Sequence, residues 1–213
     1  MPKHVVKQGE DAPSIAARYG FGDWKTIWDH PQNAALKRKR KDASILFPGD
    51  EVFVPDRKAK KVGLETGRTA DLQVKAPVRE VRIRLLDAAG RPFKDETYTL
   101  EAAGELRVGK TDAEGLVSED VPGHADVATI FVDGFQWELR LGELNPLDDA
   151  PDGGVSGAQG RLAHLGYSPG PADGELGPRT RAAIAQFQRD RGLAPTGELD
   201  QDTISALREV HGS

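Results

Sequence analysis

The spacing of apolar residues changes twice along this chain, and no single uniform fold accommodates both changes. From Val81 the apolar side chains alternate, through Val81 to Leu86, then at Tyr98-Thr99-Leu100, Leu106-Arg107-Val108, Leu116-Val117, Val127 to Val132 and Phe135 to Leu141. A period of two is that of a strand with one face covered. Gly90, Gly104, Gly115, Gly123 and Gly134 fall between the runs, so residues 79–144 are predicted to form an all-β sandwich. From Val155 the period becomes helical. Val155, Ala158, Gln159 and Leu162 share a face, as do Thr180, Ala183, Ile184 and Phe187, and then Ile204 and Leu207. Pro178 starts the second of these helices, Gly192 stops it, and Asp200 caps the third. Residues 155–213 therefore read as a three-helix bundle.

Residues 1–56 follow a βααβ order. A strand at His4 to Lys7 leads to a helix carrying Ser14, Ile15 and Tyr19, which Gly20 stops. Asp23 opens a second helix with Trp24, Ile27 and Trp28 on one stripe, and core packing is the simpler use of those tryptophans. After a long polar stretch, Phe47 to Asp50 turns and Glu51 to Val54 returns as a strand. Residues 57–78 read as a linker, with a short strand near Leu72 to Val74, and 145–154 as a second linker. The expectation is a multidomain α+β chain.

Charge is distributed unevenly. Residues 1–58 hold eleven basic against eight acidic side chains, while residues 79–149 hold eight against sixteen. A nucleic-acid binder presents a broad basic face, which is missing here. The run Lys37 to Lys41 reads as a solvated loop; its alternatives are attraction to acidic wall polymers, to an acidic protein or to the acidic β segment of the same chain. There is no cysteine, which excludes a thiolate nucleophile and a disulfide framework. The longest apolar run, Val127 to Val132, is far too short to span a bilayer, so no membrane insertion is expected.

Three resemblances follow from particular motifs. Leu165-Gly166-Tyr167, Asp173-Gly174, Gly177-Pro178 with Thr180, Phe187-Gln188, Gly192-Leu193, Thr196-Gly197 and Leu199-Asp200 together resemble the three-helix peptidoglycan-binding domain appended to wall amidases and peptidases. Ala158 departs from that pattern, where a bulkier aliphatic is usual. Val5-Val6-Lys7 with Gly9, Ser14-Ile15-Ala16 with Tyr19-Gly20, and Ile45-Leu46 with Pro48-Gly49, Val52 and Val54-Pro55 resemble a LysM module. Glu10 to Pro13 departs from the usual entry of that family. In the middle, Asp87, Gly90 and Pro92, then Thr111-Asp112 and Gly115, resemble small prealbumin-like β sandwiches, through turn chemistry alone.

These resemblances imply a ligand of acetylated sugar and carboxylate-bearing stem peptide. In the LysM-like module they place a groove between the loop Gly9 to Pro13 and the loop Ile45 to Gly49. Its candidate residues are Gly9, Asp11, Ala12, Pro13, Leu46, Phe47 and Gly49. In the C-terminal module they point to Tyr167, Asp173, Gly174, Gly177, Arg179 and Thr180. There a helix N-terminus favours an anionic group and Arg179 offers a carboxylate fork. Turn building is the alternative role for Asp173, Gly174, Gly177 and Thr180.

No chemistry for bond cleavage stands out. The five histidines are scattered and none falls in a His-Glu-x-x-His pair, so neither a metal site nor a cofactor is expected. Gly154-Val155-Ser156-Gly157 lacks the last glycine of a nucleophile elbow. The function expected is non-catalytic binding of peptidoglycan glycan and stem peptide, with two modules giving avidity. The alternatives are an adaptor in a type VI or other contractile injection system, with a secretion-apparatus or effector protein as partner, and an accessory subunit of a peptidoglycan hydrolase. The start of the chain, Met1 to Lys7, lacks an apolar signal stretch. Synthesis in the cytoplasm, with action in the periplasm or at the wall after non-classical or contractile export, is therefore expected.

Overall fold

In the computed structural model, which describes residues 3–57, 63, 65–69, 71 and 75–212, the N-terminal segment closes around a two-stranded antiparallel sheet. Strand β1 (Lys3–Val5) pairs with β2 (Glu51–Phe53), His4 opposite Val52. Helix α1 (Ala12–Arg18) starts at a capping box: the Ser14 N–H donates to Asp11 Oδ1 at 2.8 Å and the Asp11 N–H donates to Ser14 Oγ at 2.9 Å. Ile15 and Ala16 of α1 meet Ile27 and Trp28 of the one-turn helix α2 (Lys25–Trp28) over Val6, Leu46, Val52 and Val54. Trp28 is buried and Trp24 packs half-buried against the same core, so both tryptophans serve packing.

The stretch read as a polar loop contains a helix. A 3₁₀ turn at Pro31–Asn33 runs into α3 (Ala34–Arg40). Pro31 sits where a missing N–H costs nothing, two alanines and Leu36 favour helix, and four basic residues occupy the last turn, where the helix dipole favours them. Buried Asn33 fixes the start of α3, donating to the Ile27 and Phe53 carbonyls and accepting from the Phe53 N–H, each at 2.8 Å. The short strand expected at Leu72 to Val74 lies outside the described residues.

The alternating segment forms two antiparallel sheets among the described residues. One pairs β3 (Val78–Arg84) with β6 (Leu116–Pro122). The other has the order β5 (Glu105–Lys110), β4 (Thr97–Ala102), β7 (Val127–Val132), β8 (Phe135–Arg140). Val81, Val117 and Val121 of the first, with Leu85 just past β3, meet Tyr98, Leu100, Ala128, Ile130 and Val132 of the second in one core. The opposite face of the four-stranded sheet leaves Leu106, Val108 and Phe131 exposed.

The C-terminal segment packs α4 (Val155–His164), α5 (Pro178–Asp190) and α6 (Gln201–His211) around Leu162, Ile184, Phe187 and Leu207, each fully buried. Ala158 is fully buried as well, so the small side chain fits a close helix contact. Asp152 starts α4, its carboxylate accepting from the Gly154 and Ser156 N–H groups at 3.0 and 2.9 Å. Ser156 of the elbow-like run is buried and its Oγ accepts from Asn145 Nδ2 at 2.9 Å.

Residues 145–154 are ordered packing rather than a loose tether. Leu147 is 4% exposed and belongs to the C-terminal core. Arg161, also buried, donates through Nη1 to the Asn145 and Gly157 carbonyls at 2.8 and 2.9 Å. A Cβ on Gly157 would stand 2.4 Å from the Pro146 carbonyl oxygen, so only glycine lets α4 lie this close to the segment. Arg40 of α3 grips the same segment from the other side. It forms a bidentate pair with Asp50 at 2.6 and 2.8 Å and donates to the Asp148 and Asp149 carbonyls at 3.1 Å each. The basic run is thus a helix whose last arginine is buried. Lys41 and Arg208 add ion pairs to Asp148.

Candidate functional site

The C-terminal module is built on a glutamine hub. Gln159 of α4, 1% exposed, donates through Nε2 to Asp173 Oδ1 at 2.9 Å, the Glu175 carbonyl at 3.1 Å and Thr180 Oγ1 at 3.1 Å. Its Oε1 accepts from the Gly174 N–H at 2.9 Å. The loop before α5 is therefore held from inside. Asp173, Gly174 and Thr180 are brought together as turn builders: Thr180 is buried and donates to the Pro169 carbonyl at 3.0 Å. The Glu175 N–H and the Gln159 amide hold the exposed Asp173 carboxyl below its ordinary value.

What this hub presents is the start of α5. Gly177 is the extended N-cap residue, Pro178 the first helical residue, and no side chain caps the first turn. Arg179 points into solvent and forms no ion pair among the described residues. First-turn N–H groups and a free guanidinium are thus placed together at a helix end that favours anions. Tyr167 lies apart from this cluster. It sits edge-on to Phe187 with 5.7 Å between centroids and donates to Asp190 Oδ2 at 2.9 Å; burial and Asp190 raise its phenol pKa.

The same device recurs one helix later, which the sequence reading missed. Gln188 of α5 is fully buried and donates to Thr196 Oγ1, the Glu198 carbonyl and Thr203 Oγ1 at 3.0, 3.1 and 2.8 Å. It accepts from the Gly197 N–H at 2.9 Å. The available signal was an internal echo: Gly174-Glu175-Leu176 with Thr180 against Gly197-Glu198-Leu199 with Thr203, each after a helix bearing glutamine.

In the N-terminal module the two expected groove walls do not face one open cleft. Asp11, Ala12 and Pro13 are buried and the loop lies under the β domain. Arg79 of β3, itself buried, donates through Nη2 to Asp11 Oδ1 at 2.9 Å and the Gly123 carbonyl at 3.1 Å. Burial pushes the Asp11 carboxyl up against the pull of Arg79. A Cβ on Gly142 would stand 2.3 Å from the Gly9 carbonyl oxygen, so backbone meets backbone here. On the other loop Leu46 is core. Phe47 is half-buried with the Arg40 guanidinium 5.7 Å from its ring centroid, and Gly49 is exposed, its N–H donating to the Val6 carbonyl at 2.9 Å.

A hollow of about 750 Å³ opens on the β domain beside Val78, Arg107 and Asp120. Its carboxylates are partly engaged, Glu80 by Ser118 Oγ at 2.8 Å and Glu119 by Tyr98 Oη at 2.7 Å. Burial and then Glu119 push the Tyr98 phenol up to about 12. Among the described residues no group of three or more His, Cys, Asp or Glu converges on a metal position, and no helix is long and apolar enough to cross a membrane.

The α4 and α6 ends meet through stacked His164 and His211, with Nδ1 and Nε2 3.0 Å apart. Partial desolvation where the two rings stack, and next to it the Arg161 charge, lower both pKa values, that of His211 to about 4. The unfolded chain therefore binds more protons than the folded chain between about pH 6.5 and 4, and stability falls as the pH drops through that window. With solvent screening the expected loss is about 1 kcal/mol, or about 2–4 °C in Tm. Calorimetry at pH 7.5 and 4.5 checks this, and His164→Asn with His211→Asn should flatten the difference.

Comparison with known proteins finds a likeness in the C-terminal module. Residues 151–207 match the family model described as "Putative peptidoglycan binding domain". Over 50 residues the chain is 52% identical to the localization factor PodJL of Caulobacter vibrioides, covering 24% of this chain and 5% of that protein. It is also 52% identical over 50 residues to the "Putative OxPP cycle protein OpcA" of Synechococcus elongatus, covering 24% of this chain and 11% of that one. The similarity to the protein of the same name in Nostoc punctiforme is 46% over 48 residues, covering 22% and 10%. The chain thus spans a small part of the length of these relatives. No solved structure matches the chain.

Proposed function

We propose that this chain holds peptidoglycan without cutting it, with residues 151–207 as the gripping module. The observation that carries the reading is the match of this segment to a peptidoglycan binding domain, joined to a pre-formed loop and helix start that display Gly177 and Arg179. A ligand carboxylate fits the first-turn N–H groups and the Arg179 fork. The localization factor that is 52% identical to this chain over 50 residues is in keeping with a holding role. Action in the periplasm or at the wall belongs to the same reading. Any share taken by the LysM-like module runs through Phe47 and Gly49, the part of its predicted groove left on the surface, because the opposite loop is covered.

Co-sedimentation with purified sacculi tests this. The full chain should pellet with sacculi and release no soluble muropeptides. Arg179→Ala should raise the apparent Kd about tenfold, the size expected for a lost charge-assisted contact. Unchanged retention of that variant removes the guanidinium from the site, and no retention of the parent chain contradicts the reading itself.

A second reading, an adaptor binding secretion-apparatus or effector protein, is favoured by Leu106, Val108 and Phe131 on the outer face of the four-stranded sheet. They are 64%, 66% and 39% exposed, and register places Val108 opposite Thr99 and Thr99 opposite Phe131. Exposed apolar residues in such a row mark contact surfaces. Capture of a co-expressed partner that Phe131→Glu abolishes, without sacculus retention, would favour it.

A further inference from the structure

The described part of the C-terminal module carries a second concave feature, on the far side of α5 from Arg179's turn in sequence and built from the other end of that helix. A groove of about 400 Å³ lies between the residues that follow α5 and one face of α6. Its floor is apolar: Leu193, Ala206 and Val210, each half-buried. Its rim holds Arg191 on the α5 side and Asp202 and Glu209 on the α6 side, all exposed. Asp202, Ala206 and Glu209 are four and three residues apart, so helical spacing puts them on one face. None of the three charged rim residues forms an ion pair with a described residue, whereas Arg181 and Arg208 on the same module are paired with Glu198 and Asp148. A groove with an apolar floor and unneutralised charges of both signs on opposite rims fits a short zwitterionic ligand with small apolar side groups.

We infer that this groove docks the peptide stem of peptidoglycan, with a stem carboxylate on Arg191, the diamino-acid ammonium between Asp202 and Glu209, and alanine methyls on Leu193, Ala206 and Val210. The inference rests on the peptidoglycan-holding reading and adds the ligand portion and the residues that read it. A chain of N-acetylglucosamine alone has no charge for either rim, so the groove distinguishes the stem from such a glycan. Two sites then lie on one small module, the α5 start and the α5–α6 groove, and a branched polymer can engage both.

The test uses the full chain and two soluble probes, the tripeptide L-Ala-γ-D-Glu-meso-diaminopimelate and chitotetraose, titrated by calorimetry and by backbone amide NMR. The tripeptide is expected to bind and to shift amides of 191–193 and 202–210. Arg191→Ala should weaken it about tenfold, the usual cost of a lost charge-assisted contact, and Asp202→Asn with Glu209→Gln by a similar factor. Ala206→Trp, which fills the floor from a partly exposed position, should block it while circular dichroism stays unchanged. Sacculus retention together with no tripeptide binding, or tripeptide binding indifferent to Arg191→Ala and Ala206→Trp, overturns the groove assignment and leaves peptidoglycan holding intact. Tripeptide binding without sacculus retention supports the groove and contradicts the holding reading. Chitotetraose shifting the same amides also overturns the assignment.

Discussion

Arg40→Ala is expected to lower the unfolding free energy by about 3–5 kcal/mol, the usual cost of removing one partner from a buried ion pair. The side chain is 1% exposed and that of Asp50 is 6% exposed, so truncation leaves a carboxylate in a poorly solvated place. Lys39, 3.6 Å from Asp50, and the Phe47 N–H compensate in part. The Asp148 and Asp149 carbonyls also lose their donor. Urea unfolding measures the loss. Arg40→Met combined with Asp50→Leu should recover much of it, because neither charge is then left alone. The single variant should also open the Asp148 to Gly153 segment to protease, since Arg40 ties that segment to α3. A change below about 1 kcal/mol would mean that the clamp contributes no more than a surface pair.

Gln188→Ala is the second large effect, again about 3–5 kcal/mol, from unpaired buried polar groups plus the cavity left by a fully buried side chain. The Gly197 N–H and the Glu198 carbonyl lose their partner while the turn that leads into α6 loses its internal support. Asp200, whose carboxylate accepts from the Thr203 N–H at 2.8 Å, still caps α6. The helix should therefore persist while its docking loosens. Far-ultraviolet dichroism close to the parent, with a lower unfolding midpoint and weaker amide protection in α6, is the expected pattern. Gln159→Ala should behave alike at the loop before α5, and there it should also weaken sacculus retention by disordering the helix start that carries Arg179.

Much of this architecture is legible in the chain itself. Periods of two and of three to four residues mark the strands from Val81 and the helices from Val155, because burial on one face leaves that imprint. Pro178 and Asp200 mark helix starts for local reasons that need no tertiary knowledge. Helix α3 escapes notice because its surface is nearly all charge and only Leu36 reports an apolar side. Arg40 cannot be told from its basic neighbours until Asp50 and two carbonyls more than a hundred residues away are brought beside it. The same holds for residues 145–154, where proline, aspartate and glycine suggest a tether and a single leucine fills the next core. Asp11 and Arg79 are a further case: each is unremarkable alone, and only their burial together closes one side of the expected groove. At the candidate site the glycine and threonine turn motifs locate the loop before α5. What they omit is the glutamine inside it, whose partners are mostly set by tertiary contact.

The most direct check is amide NMR of the full chain, titrated with soluble fragments from digested sacculi. Shifts confined to residues 151–210, around Gly177 to Arg181 and at 191–193 and 202–210, are the predicted result. Shifts confined to residues 3–57, or no shifts at fragment concentrations that saturate a known wall binder, would contradict the account.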